Sequence, residues 1–218
     1  MIVTIDGPAG AGKSSVAQSL ARRLGFRFLD TGAMYRAVAL AGMRRSVDWQ
    51  QPDQLADVAE QIEIGFDGPK VLLDGEDVSV EIRASEVTAV TRYAADNPRI
   101  RRRLVQLQRK AVGGDDVVAE GRDQGTVAFP DAGCKVFLTA TPEERARRRL
   151  LDLQSQGEYP ALEDVLAAQE KRDQEDASRL VGPLVAAEDA VEVYTDGQTL
   201  DEVVDRLESI VRGRYDDR

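Results

Sequence analysis

Histidine is absent from all 218 residues, and cysteine and tryptophan occur once each, at Cys134 and Trp49. The first absence excludes catalysis by imidazole and zinc sites built on it. A lone cysteine excludes an internal disulfide and suits a reducing compartment, so Cys134 and Trp49 are both read as packing residues. No apolar run reaches the roughly 18 to 20 residues that a membrane span needs. The chain enters a strand-like segment at Ile2 without a basic leader or a cleavage site, so no signal peptide is expected and the expected location is cytoplasmic. Positive charge is also in deficit. With 29 Lys and Arg against 39 Asp and Glu, the net charge is −10, which disfavours a nucleic-acid polymer as partner. The arginines that remain are bunched at 99–109, 145–149 and 172–179, a pattern suited to a small, highly charged anion in a local pocket.

What is present organises as an α/β protein. The 42% hydrophobic content allows an ordinary buried core, and the length allows one domain with insertions. Short apolar runs predict strands at Ile2–Ile5, Phe26–Leu29, Val117–Ala119, Lys135–Thr139 and Val191–Tyr194, alternating with helices. That alternation predicts a five-stranded parallel sheet covered on both faces, a three-layer fold. A helix is expected from Lys13 to Leu24, ending at Gly25. Thr141-Pro142-Glu143-Glu144 and Thr199-Leu200-Asp201-Glu202 read as capping boxes, the second opening an amphipathic helix to about residue 211. Residues 37–112 are too many for a crossover loop and predict an inserted subdomain. Inside it, Ile62–Phe66 and Lys70–Leu73 form a small hairpin around Asp67-Gly68, with Asp74-Gly75 as a second turn. Residues 154–162 are expected to form a mobile tip, and Asp216-Asp217-Arg218 a frayed acidic end.

The chemistry enters at residues 7–14, Gly-Pro-Ala-Gly-Ala-Gly-Lys-Ser, lying between the first strand and the first helix. A loop of this pattern, Gly7, Pro8, Ala9, Gly10, Ala11, Gly12, Lys13, Ser14 and the following Ser15, curls backbone N–H groups round the phosphates of ATP. Lys13 reaches the β- and γ-phosphates, the Ser14 hydroxyl holds Mg²⁺, and the helix adds its positive end. A guanine-nucleotide switch would carry D-x-x-G and N-K-x-D elements, and neither is found. A motor ATPase would end an apolar strand in adjacent acids, whereas Val117-Val118-Ala119-Glu120 continues into Gly121-Arg122-Asp123. A small-molecule kinase is therefore favoured over an NTPase switch. A phosphate acceptor is already ionised at neutral pH and needs no histidine base, but it does need arginines to bring two anions together.

Four blocks then make the chain resemble bacterial cytidylate kinases, which are P-loop nucleoside-monophosphate kinases. They are Ile5–Ser14, Leu29-Asp30-Thr31-Gly32-Ala33-Met34-Tyr35-Arg36, Gly75-Glu76-Asp77-Val78-Ser79 and Glu120-Gly121-Arg122-Asp123-Gln124-Gly125-Thr126. The likeness continues through Lys171-Arg172-Asp173 and Arg179 to Pro183-Leu184. It implies transfer of the γ-phosphate of ATP to CMP or dCMP, with Mg²⁺ as cofactor and a monomeric enzyme without membrane attachment. It also implies a single kinase domain: core 1–36, 113–150 and 176–218, a monophosphate-binding insertion 37–112 with a small antiparallel sheet, and a short lid at 151–175. The alternative is a kinase for another small acceptor such as UMP.

By the same resemblance, Thr31, Tyr35 and Arg36 meet the CMP phosphate and ribose, Arg101 is directed at the cytosine ring, and Arg122 clamps phosphate. Asp123 reads the cytosine amino group, Arg172 and Asp176 meet the ribose, and Arg179 meets the phosphates. Lys13, Arg122 and Arg179 are the expected catalytic groups, and Arg145 and Arg149 the arginines that embrace ATP. Glu143–Arg147 and Glu144–Arg148 are i,i+4 pairs read as structural. Arg92 stands where the family has a small hydroxyl residue, with Thr91 beside it. Asp30 is left with two roles, support of hydrated Mg²⁺ or capping of the next helix.

Overall fold

The computed structural model describes residues 1–155 and 157–216. Gln156, within the expected tip, and Asp217 and Arg218, within the expected frayed end, lie outside the described residues. In chain order the elements are β1 (Ile2–Asp6), α1 (Lys13–Leu24), β2 (Arg27–Asp30), α2 (Thr31–Arg44), α3 (Pro52–Gln61), β3 (Ile64–Asp67), β4 (Lys70–Leu73) and β5 (Glu76–Asp77). There follow α4 (Ser85–Ala95), α5 (Pro98–Val112), β6 (Val117–Glu120), β7 (Cys134–Thr139), α6 (Pro142–Ser155), α7 (Leu162–Ala177), β8 (Val191–Tyr194) and α8 (Leu200–Asp216). A 3₁₀ turn at Glu81–Arg83 and a π-helical turn at Gln124–Ala128 complete the set.

The chain divides into two compact units. The first comprises Met1–Leu29 and Gly114–Arg218, the second Asp30–Gly113. In the first, a five-stranded parallel sheet runs β2-β6-β1-β7-β8. The central strand β1 pairs Ile5 with Glu120 of β6 and with Val136 of β7, so the carboxyl ends of three strands open at one edge. Ligands of α/β folds bind at that edge. The core is built from Val3, Ile5, Val118, Val136, Leu138 and Val193 of the strands, with Val16 and Leu20 of α1 and Val204 and Leu207 of α8. Cys134 is buried there as a packing residue. The capping box at Thr199 forms as expected: Glu202 accepts from Thr199 N at 2.8 Å and Thr199 Oγ1 accepts from Glu202 N at 3.3 Å.

The second unit has its own core. Met34, Val38 and Leu40 of α2 pack with Leu55 of α3, Val71 and Leu73 of β4, Val87 of α4, and Ile100 and Leu104 of α5. Strands β3, β4 and β5 form the expected antiparallel sheet, in which Asp74-Gly75 turns β4 into a two-residue third strand. Trp49 packs on this core and stacks on Tyr93, ring centroids 5.3 Å apart. The unit opens at Asp30 and not at residue 37 as expected. Helix α2 is apolar on most of its surface, so burying it requires α3, α4 and α5 around it. Among the described residues no helix is long and apolar enough to cross a membrane.

Candidate active site

The phosphate loop leaves β1 at Gly7. A Cβ there would sit 1.9 Å from the Leu138 carbonyl oxygen, and φ is 148°, so glycine alone lets the loop pass over β7. The loop ends at the amino end of α1, where free N–H groups and the helix dipole favour an anion. Lys13 is buried and donates from Nζ to the Pro8 carbonyl at 2.8 Å. Burial first, and the charge of Arg122 second, pull its pKa below the ordinary lysine value. Ser14 donates from Oγ to Glu120 Oε1 at 2.6 Å. Ser15 follows, exposed, on α1.

A chain of ions lies beside this loop. Arg122 donates from Nε to Asp176 Oδ2 at 2.9 Å and from Nη1 to the Gly7 carbonyl at 3.3 Å. Arg179 Nη2 meets the other oxygen of Asp176 at 2.6 Å. Burial alone would raise the Asp176 pKa, but Arg122 and Arg179 outweigh it and hold the carboxyl below its ordinary value. Arg172 stands one turn before Asp176 on α7, exposed, and its charge reaches both Asp176 and Lys13. Arg179 comes from beyond α7, which ends at Ala177. Asp123 is buried, and its backbone oxygen accepts from Val127 N at 2.9 Å and Ala128 N at 3.2 Å in the π-helical turn.

The arginines of α6 divide unexpectedly. Arg145 is buried, donating from Nε to the Ala140 carbonyl and from Nη1 to the Ala9 carbonyl, both at 3.1 Å, and pairing with Asp173. It thus fastens α6 and α7 to the phosphate loop. Arg149 lies half-buried one turn further along. Arg148 keeps its pair with Glu144 at 3.0 Å but also donates to Thr195 Oγ1 and to the Thr195 carbonyl, each at 2.8 Å. A Cβ on Gly12 would lie 3.8 Å from its guanidinium.

Within the second unit, Thr31, Tyr35 and Arg36 share the first turns of α2. Asp30 caps that helix, accepting from Ala33 N at 2.8 Å through Oδ1 and from Arg36 Nη2 at 3.0 Å through Oδ2. Capping, one of its two expected roles, is formed. Tyr35 and Arg101 come together, the guanidinium 5.7 Å from the ring centroid. Arg101 is buried and also donates to the Ala95 carbonyl at 3.1 Å. Thr91 turns its hydroxyl onto the Val87 carbonyl of its own helix, and Arg92 is exposed over the Tyr93 ring.

The cytidylate kinase family profile matches residues 3–213. The chain belongs to that family. It is 52% identical over 212 residues to the cytidylate kinase of Rhodopirellula baltica, covering 97% of this chain and 93% of that one. It is 48% identical to the cytidylate kinase of Mycobacterium avium, covering 98% and 96%. A crystal structure of an uncharacterized protein from Eubacterium ventriosum shares the fold, with a TM-score of 0.51, 13% identity and coverage of 97% and 98%.

Three further residues join the candidate site only through the fold. Glu120 was set aside because its strand lacks adjacent acids, yet a single carboxylate at the end of the neighbouring strand reaches Ser14. Arg148 looked committed to Glu144, and only the fold shows its second partner on the loop after β8. Asp6 precedes the loop by one residue and carries no motif signal of its own, although both its oxygens accept from residues 124 and 125.

Proposed function

We propose that the protein transfers the γ-phosphate of ATP to CMP or dCMP, giving ADP and CDP or dCDP. The observation that carries this reading is the placement of Arg122 between the Gly7 carbonyl and Asp176, next to the buried Asp123, in a member of the cytidylate kinase family. The loop from Gly7 to Ser15, with Lys13, takes the donor phosphates, and Arg145 and Arg149 support that side. The acceptor phosphate arrives ionised, so the residues have charge to neutralise and little proton to move. Arg122, Arg172 and Arg179 form the cationic rim that does so, and Asp176 holds two of them in place or turns to the ribose. Asp123 accepts from the cytosine amino group, while Thr31, Tyr35, Arg36 and Arg101 serve the phosphate, ribose and base of CMP.

The donor set of Ser14 Oγ and Glu120 Oε1, 2.6 Å apart, is oxygen-only with one carboxylate. That suits a hard cation which keeps several waters and takes its remaining ligands from substrate phosphates. Ser14 and Glu120 would hold Mg²⁺, which when bound neutralises charge on the β- and γ-phosphates. We place the enzyme in the cytoplasm, acting as a monomer.

The test is ADP release from ATP with CMP, dCMP, UMP, AMP, GMP and shikimate as acceptors. Turnover on CMP and dCMP well above the rest is expected. Faster turnover on AMP, GMP or shikimate would overturn the reading.

A further inference from the structure

The residues that carry acceptor chemistry in the first unit, Arg122 and Asp123, sit in a loop pinned to β1 at both ends. At one end Gly121 N donates to the Ile5 carbonyl at 3.1 Å. At the other, Gln124 N and Gly125 N donate to the two carboxylate oxygens of Asp6 at 2.8 and 2.7 Å. Only Arg122 and Asp123 lie between the pins. The second pin is tight: a Cβ on Gly125 would lie 3.0 Å from Thr4 Oγ1, 3.2 Å from Lys135 Cδ and 3.4 Å from Asp6 Oδ2. The chain then enters the π-helical turn, in which Phe129 N reaches back to the Gln124 carbonyl at 2.7 Å. Such turns are uncommon and need support from outside themselves.

We propose that Asp6 is the positioning residue for the acceptor nucleotide, its carboxylate fixing the turn that aims Arg122 and Asp123. The proposal rests on the acceptor reading of those two residues. A carboxylate is the side chain that suits this place, because both its oxygens accept and neither donates. Both oxygens are engaged by backbone, which suits Asp6 to a positioning role and not a catalytic one. Its location one residue before Gly7 ties the acceptor loop to the strand that also launches the donor loop.

The test is Asp6→Asn, in which an amide NH₂ must face one of two backbone N–H donors. One contact becomes a donor–donor opposition, and the turn shifts. KM for CMP should rise by about tenfold or more, the scale of one lost charge-assisted hydrogen bond, with KM for ATP unchanged. The preference for CMP over UMP should fall with it. Gly125→Ala moves the turn without altering the carboxylate and should give the same split, which also serves if Asp6→Asn does not accumulate as folded protein. Equal rises in both KM values, or a fall in kcat alone with KM for CMP unchanged, would overturn the proposal. If the unaltered enzyme does not prefer CMP at all, it is the acceptor reading that fails, and the two outcomes are distinguishable.

Discussion

Lys13 and Asp123 are the side chains whose loss should be felt most directly. Lys13→Met removes a charge from the donor phosphates and little volume. The lysine already rests on the Pro8 carbonyl, so the loop should keep its shape. A fall in kcat of about a hundredfold or more is expected, as for loss of one electrostatic stabiliser, and retention of half the activity would contradict its role. Asp123→Asn keeps the shape but can turn an amide donor toward the carbonyl that uracil presents where cytosine has its amino group. The CMP-to-UMP preference in kcat/KM should shrink by roughly tenfold or more. Equal losses on both substrates would mean that Asp123 supports its neighbours and does not read the base. Lys13, Ser14, Arg122 and Asp123 stand out as candidates because each belongs to a local pattern. Glu120, Arg148 and Asp6 do not, since their meaning lies in partners 106, 47 and 118 residues away. No local spacing encodes such pairs.

Among the elements, α2 shows how much a single cap can carry. Its first turn presents Thr31, Tyr35 and Arg36, and Asp30 both caps it and holds Arg36. Asp30→Ala should lower stability by about 1 to 2 kcal/mol in urea denaturation, and Asp30→Asn, which keeps an acceptor, by clearly less. Equal losses would show that the cap contributes little. The core strands were readable from apolar runs, and the capping box before α8 from its four residues. Strand β5 was not readable, because two residues, Glu76 and Asp77, cannot show an alternation. The first edge of the second unit was misplaced for a related reason. The sequence of α2 advertises a buried helix but not which partners bury it.

Each compact unit of the molecule has its own apolar core, and the arginines are bunched locally against a net charge of −10. The sequence could show that imbalance but not its cost inside the fold, and Asp6 is one residue that bears such a cost. It is buried with two backbone donors and no ion pair of its own among the described contacts. Burial drives its pKa up to about 6 from 3.8, only partly offset by the N–H groups of Gly125 and Gln124, with the Asp123 charge raising it further and Lys13 lowering it. The folded protein therefore holds this proton more tightly than the unfolded chain does. Below pH 4 the group is neutral in both states and costs nothing. As pH rises from 4 to 6 the unfolded carboxyl ionises first, and stability falls by about 3 kcal/mol at most, a penalty complete above pH 6. Chemical denaturation of the unaltered protein and of Asp6→Asn across pH 4 to 7 isolates this term, because the variant's other losses do not change with pH. Their difference in stability should narrow as pH rises, and a flat difference would show that Asp6 titrates as an ordinary carboxyl. The strand end that serves both loops would then make the protein a proton acceptor on folding in mildly acidic solution.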